Sequence, residues 1–163
     1  MEPILILTTG GTIDKIYFDA KSTYEVGPPH ISRLLEELNL SIIYRIVSVL
    51  RKDSLDLTDK DRRLIFEQAA GSAEQRIVIT HGTDTMAETG KALESIPGKT
   101  IVLTGALEPA LFKTSDAPFN IGCALAAVQT CKSGVYIAMS GQVLPCHKVR
   151  KNLQTNRFEP LDS

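Results

Sequence analysis

The chain has 163 residues, of which 43% are apolar and 23% charged, and a net charge of −1. That length fits one compact domain, the composition excludes a disordered chain, and the balanced charge offers no footing for nucleic acid or an anionic membrane surface. No apolar run approaches the length of a membrane span, no basic stretch precedes the N-terminal apolar run, and Cys123, Cys131 and Cys146 lack metal-ligand spacing, so the expectation is a cytoplasmic protein with free thiols and no metal or other cofactor.

Ile4 to Leu7 form an aliphatic run that leads into Thr8-Thr9-Gly10-Gly11-Thr12. A short apolar run ended by glycines predicts a buried parallel strand. The glycine pair lets the backbone turn sharply and approach a ligand closely. Asp14 to Pro29 is a polar connection of sixteen residues that carries Tyr17, Phe18 and Tyr24. Connections of that length are often functional, and this one has room for a short hairpin. Apolar residues at 31, 34, 35 and 38 predict a helix over 31–40. The β-branched stretch 41–50 predicts a strand with a polar exit at Arg51–Asp56. Thr58 is a good N-cap, and Asp59 and Asp61 suit the positive first turn of a helix reaching about Ala70. Arg76–Thr80 is a further strand, and it exits into His81-Gly82-Thr83-Asp84-Thr85. Next come a helix over 85–95, a strand at Thr100–Thr104 and a loop rich in Pro, Ser and Asp up to Phe119. An alanine-rich helix over 120–130 and a last strand at Gly134–Met139 follow. The tail from Pro145 reads as basic and then irregular. This alternation predicts an α/β fold: one Rossmann-like three-layer domain over residues 1–163, with a mostly parallel sheet and helices on both faces.

Ligands of such sheets bind beyond the carboxyl ends of the strands. Here those ends carry Thr12, Ser54, the 81–85 turn and Thr104-Gly105, so hydroxyls and one carboxylate converge on one edge. No dinucleotide fingerprint follows the first strand and no phosphate-loop lysine is present. His81 reads as a structural histidine, with a general base as the alternative. Threonine chemistry remains, and a threonine hydroxyl needs a base to become a nucleophile. Tyr24 and a desolvated lysine are the candidates.

TGGTI at Thr9–Ile13, HGTDTM at His81–Met86, LTGAL at Leu103–Leu107 and SDAPFN at Ser115–Asn120 together resemble the bacterial-type L-asparaginase family. Their order and spacing match its N-terminal domain along nearly the whole chain. The resemblance implies hydrolysis of the side-chain amide of asparagine, or a related small amino acid amide, through an acyl-threonine with release of ammonia. It implies that Thr12 is the nucleophile, Tyr24 its loop partner, and Thr83 the second catalytic threonine. Ser54 would bind the substrate α-carboxylate and Asp84 its α-amino group, and Lys151 would complete the Thr–Lys–Asp set. Backbone N–H groups at the Gly11 and Gly82 turns would serve the substrate and a developing oxyanion. No cofactor is implied. Family members usually assemble as dimers or tetramers, so a homo-oligomer is expected.

Two residues depart from the family pattern: Asp14 in GGTID stands where a small residue is usual, and Glu108 where a basic one is frequent. The sequence ends where the smaller second domain of relatives begins, so it reads as a stand-alone N-terminal-type domain. A second reading is therefore a non-catalytic amino-acid-binding module that keeps Asp84 and Ser54. A third, a nucleotide-binding domain using the Gly10-Gly11 turn, is opposed by the missing phosphate motifs. Plainer roles compete at each position. Thr12 and Thr83 can be turn residues, Asp84 an N-cap, Ser54 a strand end and Tyr24 a surface aromatic. Lys148, Arg150 and Lys151 can be a solvated face, with Lys148 the alternative to Lys151 in the lysine role.

Overall fold

The computed structural model describes residues 1–161. Five parallel strands and one antiparallel edge strand make the central sheet. In chain order the strands are β1 (Ile4–Gly10), β4 (Tyr44–Lys52), β5 (Arg76–Thr80), β6 (Thr100–Thr104), β7 (Gly134–Met139) and β8 (Gln142–Pro145). Across the sheet they run β4-β1-β5-β6-β7-β8. Two hairpins stand apart from it: β2 (Lys15–Phe18) with β3 (Thr23–Val26), and β9 (Val149–Asn152) with β10 (Arg157–Pro160). The helices are α1 (Ile31–Glu37), α2 (Asp59–Gly71), α3 (Met86–Leu93) and α4 (Ala117–Thr130).

Strict alternation divides the core between the two faces of the sheet. Leu5, Leu7, Ile77, Ile79, Ile101 and Leu103 point to one face and meet Ile65 of α2 with Met86 and Leu93 of α3. Ile4, Ile6, Val78 and Val102 point to the other and meet Ile31 and Leu35 of α1 with Ile121, Ala124 and Val128 of α4. Strands buried on both faces need apolar residues at every position, and Ile4–Leu7 supply them. The expected α/β architecture with helices on both faces is the one found. Among the described residues no helix is long and apolar enough to cross a membrane.

The strand order reverses between β1 and β5, because the chain first moves outward to β4 and then returns past β1. A cleft forms at such a switch point beyond the carboxyl ends of the strands. The crossovers through α1, α2 and α3 share one hand. The chain continues in the same direction from β6 to β7, yet α4 lies on the face opposite α2 and α3. That crossover has the other hand, against a strong rule for parallel units. The side chains of the Ser115–Asn120 motif brace it. Asp116 accepts from the N–H groups of Leu107 (3.0 Å) and Glu108 (3.1 Å). Asn120 donates to Gly105 O at 3.0 Å and to Asp116 at 2.8 Å, and its Oδ1 accepts from Ser140 N at 3.1 Å. The loop, the start of α4 and the end of β7 are thereby tied together.

Three expectations need correction. The helix expected from Asn120 begins at Ala117, because Pro118 sits in its first turn, where a fixed φ and a missing N–H are tolerated. The first β-branched strand is shifted to Tyr44–Lys52. The tail is not irregular after Pro145. A turn at Ser140-Gly141, both with positive φ, leads into β8, and β9 and β10 pair antiparallel with Lys151 opposite Phe158. Val149 and Phe158 are buried there. The charged residues between them hid the alternation. Thr58 does cap α2, in a reciprocal capping box with Asp61.

Candidate active site

The site is built on close backbone approach. Gly11 adopts φ 87°, and a Cβ there would lie 2.5 Å from Gly82 N. A Cβ on Gly82 would lie 2.6 Å from the Ser54 side chain. The turns after β1, β4 and β5 therefore touch at positions where only hydrogen fits. This contact brings Gly11, Gly82 and Ser54 to one point of the switch-point cleft. Ser54 is buried (1% exposed), and its carbonyl accepts from Thr85 Oγ1 at 2.9 Å. Its own hydroxyl has no hydrogen-bond partner among the described residues.

Lys151 enters from β9. It shares its strand face with Val149, so its stem is buried and its ammonium reaches the β5 turn. Nζ donates to Thr83 Oγ1 at 2.8 Å and to Asp84 Oδ1 at 2.6 Å. The side chains of Lys151 and Asp84 are 10% and 37% exposed, so the cluster opens to solvent on the Asp84 side. Lys148 points out to solvent. It ends the 3-10 turn Cys146–Lys148 ahead of β9, whereas Lys151 lies on the strand itself. Asp84 does not cap α3: the N-cap is Thr85, with no side-chain capping bond.

His81 is fully buried beneath this turn. Its Nδ1 lies 2.6 Å from Gly82 O and its Nε2 2.7 Å from Thr89 Oγ1. Burial pushes the imidazole pKa down to about 4, so the ring is neutral. A sealed, doubly bonded ring has no access to a substrate, which fits a structural role rather than a general base.

The opposite wall is looser. Thr12 opens a short 3-10 turn, Thr12–Asp14, and is half-buried. Its hydroxyl has no partner among the described residues. Tyr24 lies out on the β2–β3 hairpin, 51% exposed, and does not bond Thr12. Its ring packs on Tyr17 (centroids 5.3 Å apart) and edge-on to Phe112 (5.8 Å). The structure therefore groups Thr83, Asp84 and Lys151, sets Gly11, Gly82 and Ser54 beside them, and leaves Tyr24 apart.

Two residues of this wall were not singled out as site residues by sequence reasoning. Asp14 is buried (2% exposed) and holds the ends of the hairpin together. Its Oδ1 accepts from His30 N at 2.9 Å and its carbonyl accepts from Gly27 N at 2.8 Å. Burial pushes its carboxyl pKa up to about 6, against the hydrogen bond from His30 and the charge of Arg51. Asp53 pairs with Lys15 at 3.0 Å and ties the hairpin to the exit of β4. The only sequence signal was a carboxylate in an otherwise small-residue turn. Cys146 is buried with its thiol donating to Ala87 O at 3.3 Å, and burial pushes its pKa up to about 11. Cys123 and Cys131 are free and half-buried. Among the described residues no group of three or more His, Cys, Asp or Glu side chains is placed to hold a metal ion.

Known proteins resemble this chain in sequence and in fold. The chain is 34% identical to a probable periplasmic L-asparaginase of Haemophilus influenzae over 93% of its own length and 47% of the relative's. It is 32% identical to an L-asparaginase of Thermococcus kodakarensis over 98% of its length and 51% of the relative's. The solved structure of the thermostable L-asparaginase from Thermococcus kodakarensis superposes with a TM-score of 0.85 at 28% identity, covering 99% of this chain and 52% of that one. The chain spans about half the length of these relatives. The family model described as "Asparaginase, N-terminal" matches residues 3–163, and with the fold it places this chain in the asparaginase family.

Proposed function

We propose that this chain hydrolyses the side-chain amide of L-asparagine, or of a closely related amino acid amide, to the acid and ammonia. The observation that carries the reading is Lys151 bonded to both Thr83 and Asp84 at the lip of the β5 turn. An ammonium so placed polarises a threonine hydroxyl, and the same carboxylate can face a substrate ammonium. In the proposed reaction Thr12 Oγ attacks the amide carbon, the C–N bond breaks, and the hydroxyl proton leaves with ammonia. Water then cleaves the Thr12 ester and restores the hydroxyl. Ser54 and the N–H groups around Gly11 and Gly82 hold the substrate carboxylate and the oxyanion. Tyr24 joins Thr12 only after the hairpin swings inward, as lids commonly do on ligand binding.

Ammonia release from asparagine, glutamine and other side-chain amides tests this, with Thr12→Val alongside. Turnover abolished in a folded Thr12→Val supports the nucleophile, and unchanged turnover sinks it. The exposed Tyr24, with no hydrogen bond to Thr12, favours a second reading, an amino-acid-binding module. Saturable aspartate binding by calorimetry without ammonia release would select it. We also place the protein in the cytoplasm, where free thiols such as Cys123 and Cys131 persist. We propose a homo-oligomer, dimer or tetramer, whose neighbouring copy helps cover the open side of the cleft. Sedimentation at working concentration tests that, and a monomer with full turnover would refute it.

A further inference from the structure

We propose that His81 is a positioning residue: a neutral imidazole, protonated on Nδ1 and held by Thr89, that fixes the Gly82 carbonyl against the core and so aims the Thr83 N–H into the cleft. This deepens the proposed function and rests on the Thr83 turn being part of the reacting site.

The direction of every hydrogen bond follows from its partners. Gly82 O can only accept, so the proton sits on Nδ1. Nε2 is then an acceptor, and Thr89 Oγ1 donates to it at 2.7 Å. The same Thr89 oxygen accepts from Arg62 Nε at 3.3 Å. The chain Arg62–Thr89–His81–Gly82 O is therefore polarised one way along its length. His81 and Thr89 are each 0% exposed, so no water competes. His81 is anchored through its own N–H, which donates to Thr104 O at 2.9 Å. A trans peptide sets its carbonyl and N–H on opposite sides. Pulling Gly82 O toward the core thus turns Thr83 N–H outward, where it has no acceptor among the described residues. The next side chain, Thr83, is then held where Lys151 meets it.

The test separates the two ring nitrogens. An Asn amide reaches the Nδ1 position, and a Gln amide reaches the Nε2 position. His81→Asn keeps a donor to Gly82 O and should turn over within about threefold of the unaltered protein. His81→Gln and His81→Leu lose it, and kcat should fall about tenfold or more with KM little changed, the size expected for one buried hydrogen bond. Nitrogen-15 NMR of the histidine-labelled full chain at neutral pH should show the Nδ1–H tautomer for His81. An Nε2–H tautomer, or His81→Gln outperforming His81→Asn, would overturn the proposal. The NMR result stands even if the variants fail to fold. It also stands if no amide is turned over, so failure of the functional reading remains distinguishable from failure of this one.

Discussion

The two walls of the cleft are built differently. The wall at the end of β5 is glycine-tight and knit by side-chain hydrogen bonds: Gly82 packs on Ser54, His81 bonds on both ring nitrogens, and Lys151 spans Thr83 and Asp84. The wall carrying Thr12 and Tyr24 hangs on a hairpin held at its base by Asp14 and Lys15, with exposed aromatic rings at its outer end. The first wall is preorganised by the sheet, so its geometry costs nothing at the moment of reaction. In the second, no hydrogen bond joins its two candidate groups. Under the proposed reaction, a site split in this way would hold its electrostatics ready and leave Thr12 and Tyr24 to be brought together by closure.

Substitutions that spoil one wall while sparing the other break or sharpen the contrast. The largest effect is expected from Lys151→Met, which removes the cation of the rigid wall and keeps the buried stem. Ammonia release should fall about 10²–10⁴-fold, the range for a lost acid–base group, while thermal unfolding changes little. A fall under tenfold would mean that the rigid wall does not carry the chemistry.

Asp14→Asn probes the base of the hairpin. The folded carboxyl titrates near 6 against an ordinary 3.8, so the folded protein holds this proton after the unfolded chain has lost it. This group therefore lowers stability as pH rises from about 4 to about 6, by up to about 3 kcal/mol, and adds no further slope above that. An asparagine keeps the acceptor for His30 N without the charge. The variant should be the more stable protein at pH 7 and match the unaltered chain near pH 4, read from urea midpoints at both pH values. Equal midpoints at pH 7 would show that the carboxylate is not paying a burial penalty.

Gly82→Ala acts on the rigid wall, where the added carbon would sit 2.6 Å from the Ser54 side chain. A loss of about 1–3 kcal/mol is expected, typical of overpacking, together with weaker aspartate binding by calorimetry. The smallest stability effect belongs to the hairpin. Phe112→Ala removes one edge-on partner of Tyr24, and the unfolding free energy should drop by less than about 1 kcal/mol. If turnover falls much further than that, the aromatic cluster takes part in closure. If neither changes, the rings are surface ornament and Tyr24 has no lid role.

Much of the fold was legible because its determinants are local. β5, β6 and β7 lie at the residues expected, since each is a short apolar run bounded by turn formers. Thr58 and Asp61 signalled the start of α2 in the same local way. Lys151 was harder to read, because a lysine inside a charged tail looks solvated, and only Thr83 and Asp84, nearly seventy positions away, make its inward direction favourable. Asp14 was legible as unusual but not as buried, because its burial comes from His30 and the hairpin closing over it.

By itself the sequence determined the alternation of strands and helices, the glycine turns at their ends, and the motifs that mark the family, all set by short-range periodicity and backbone freedom. The tertiary structure alone decided the opposite-handed crossover through α4, the meeting of β9 with the β5 turn, the tautomer of His81, and the packing of Tyr24 on Tyr17 and Phe112. Those depend on which distant groups share a buried space, where an unpaired polar atom is costly and a paired one is fixed in place.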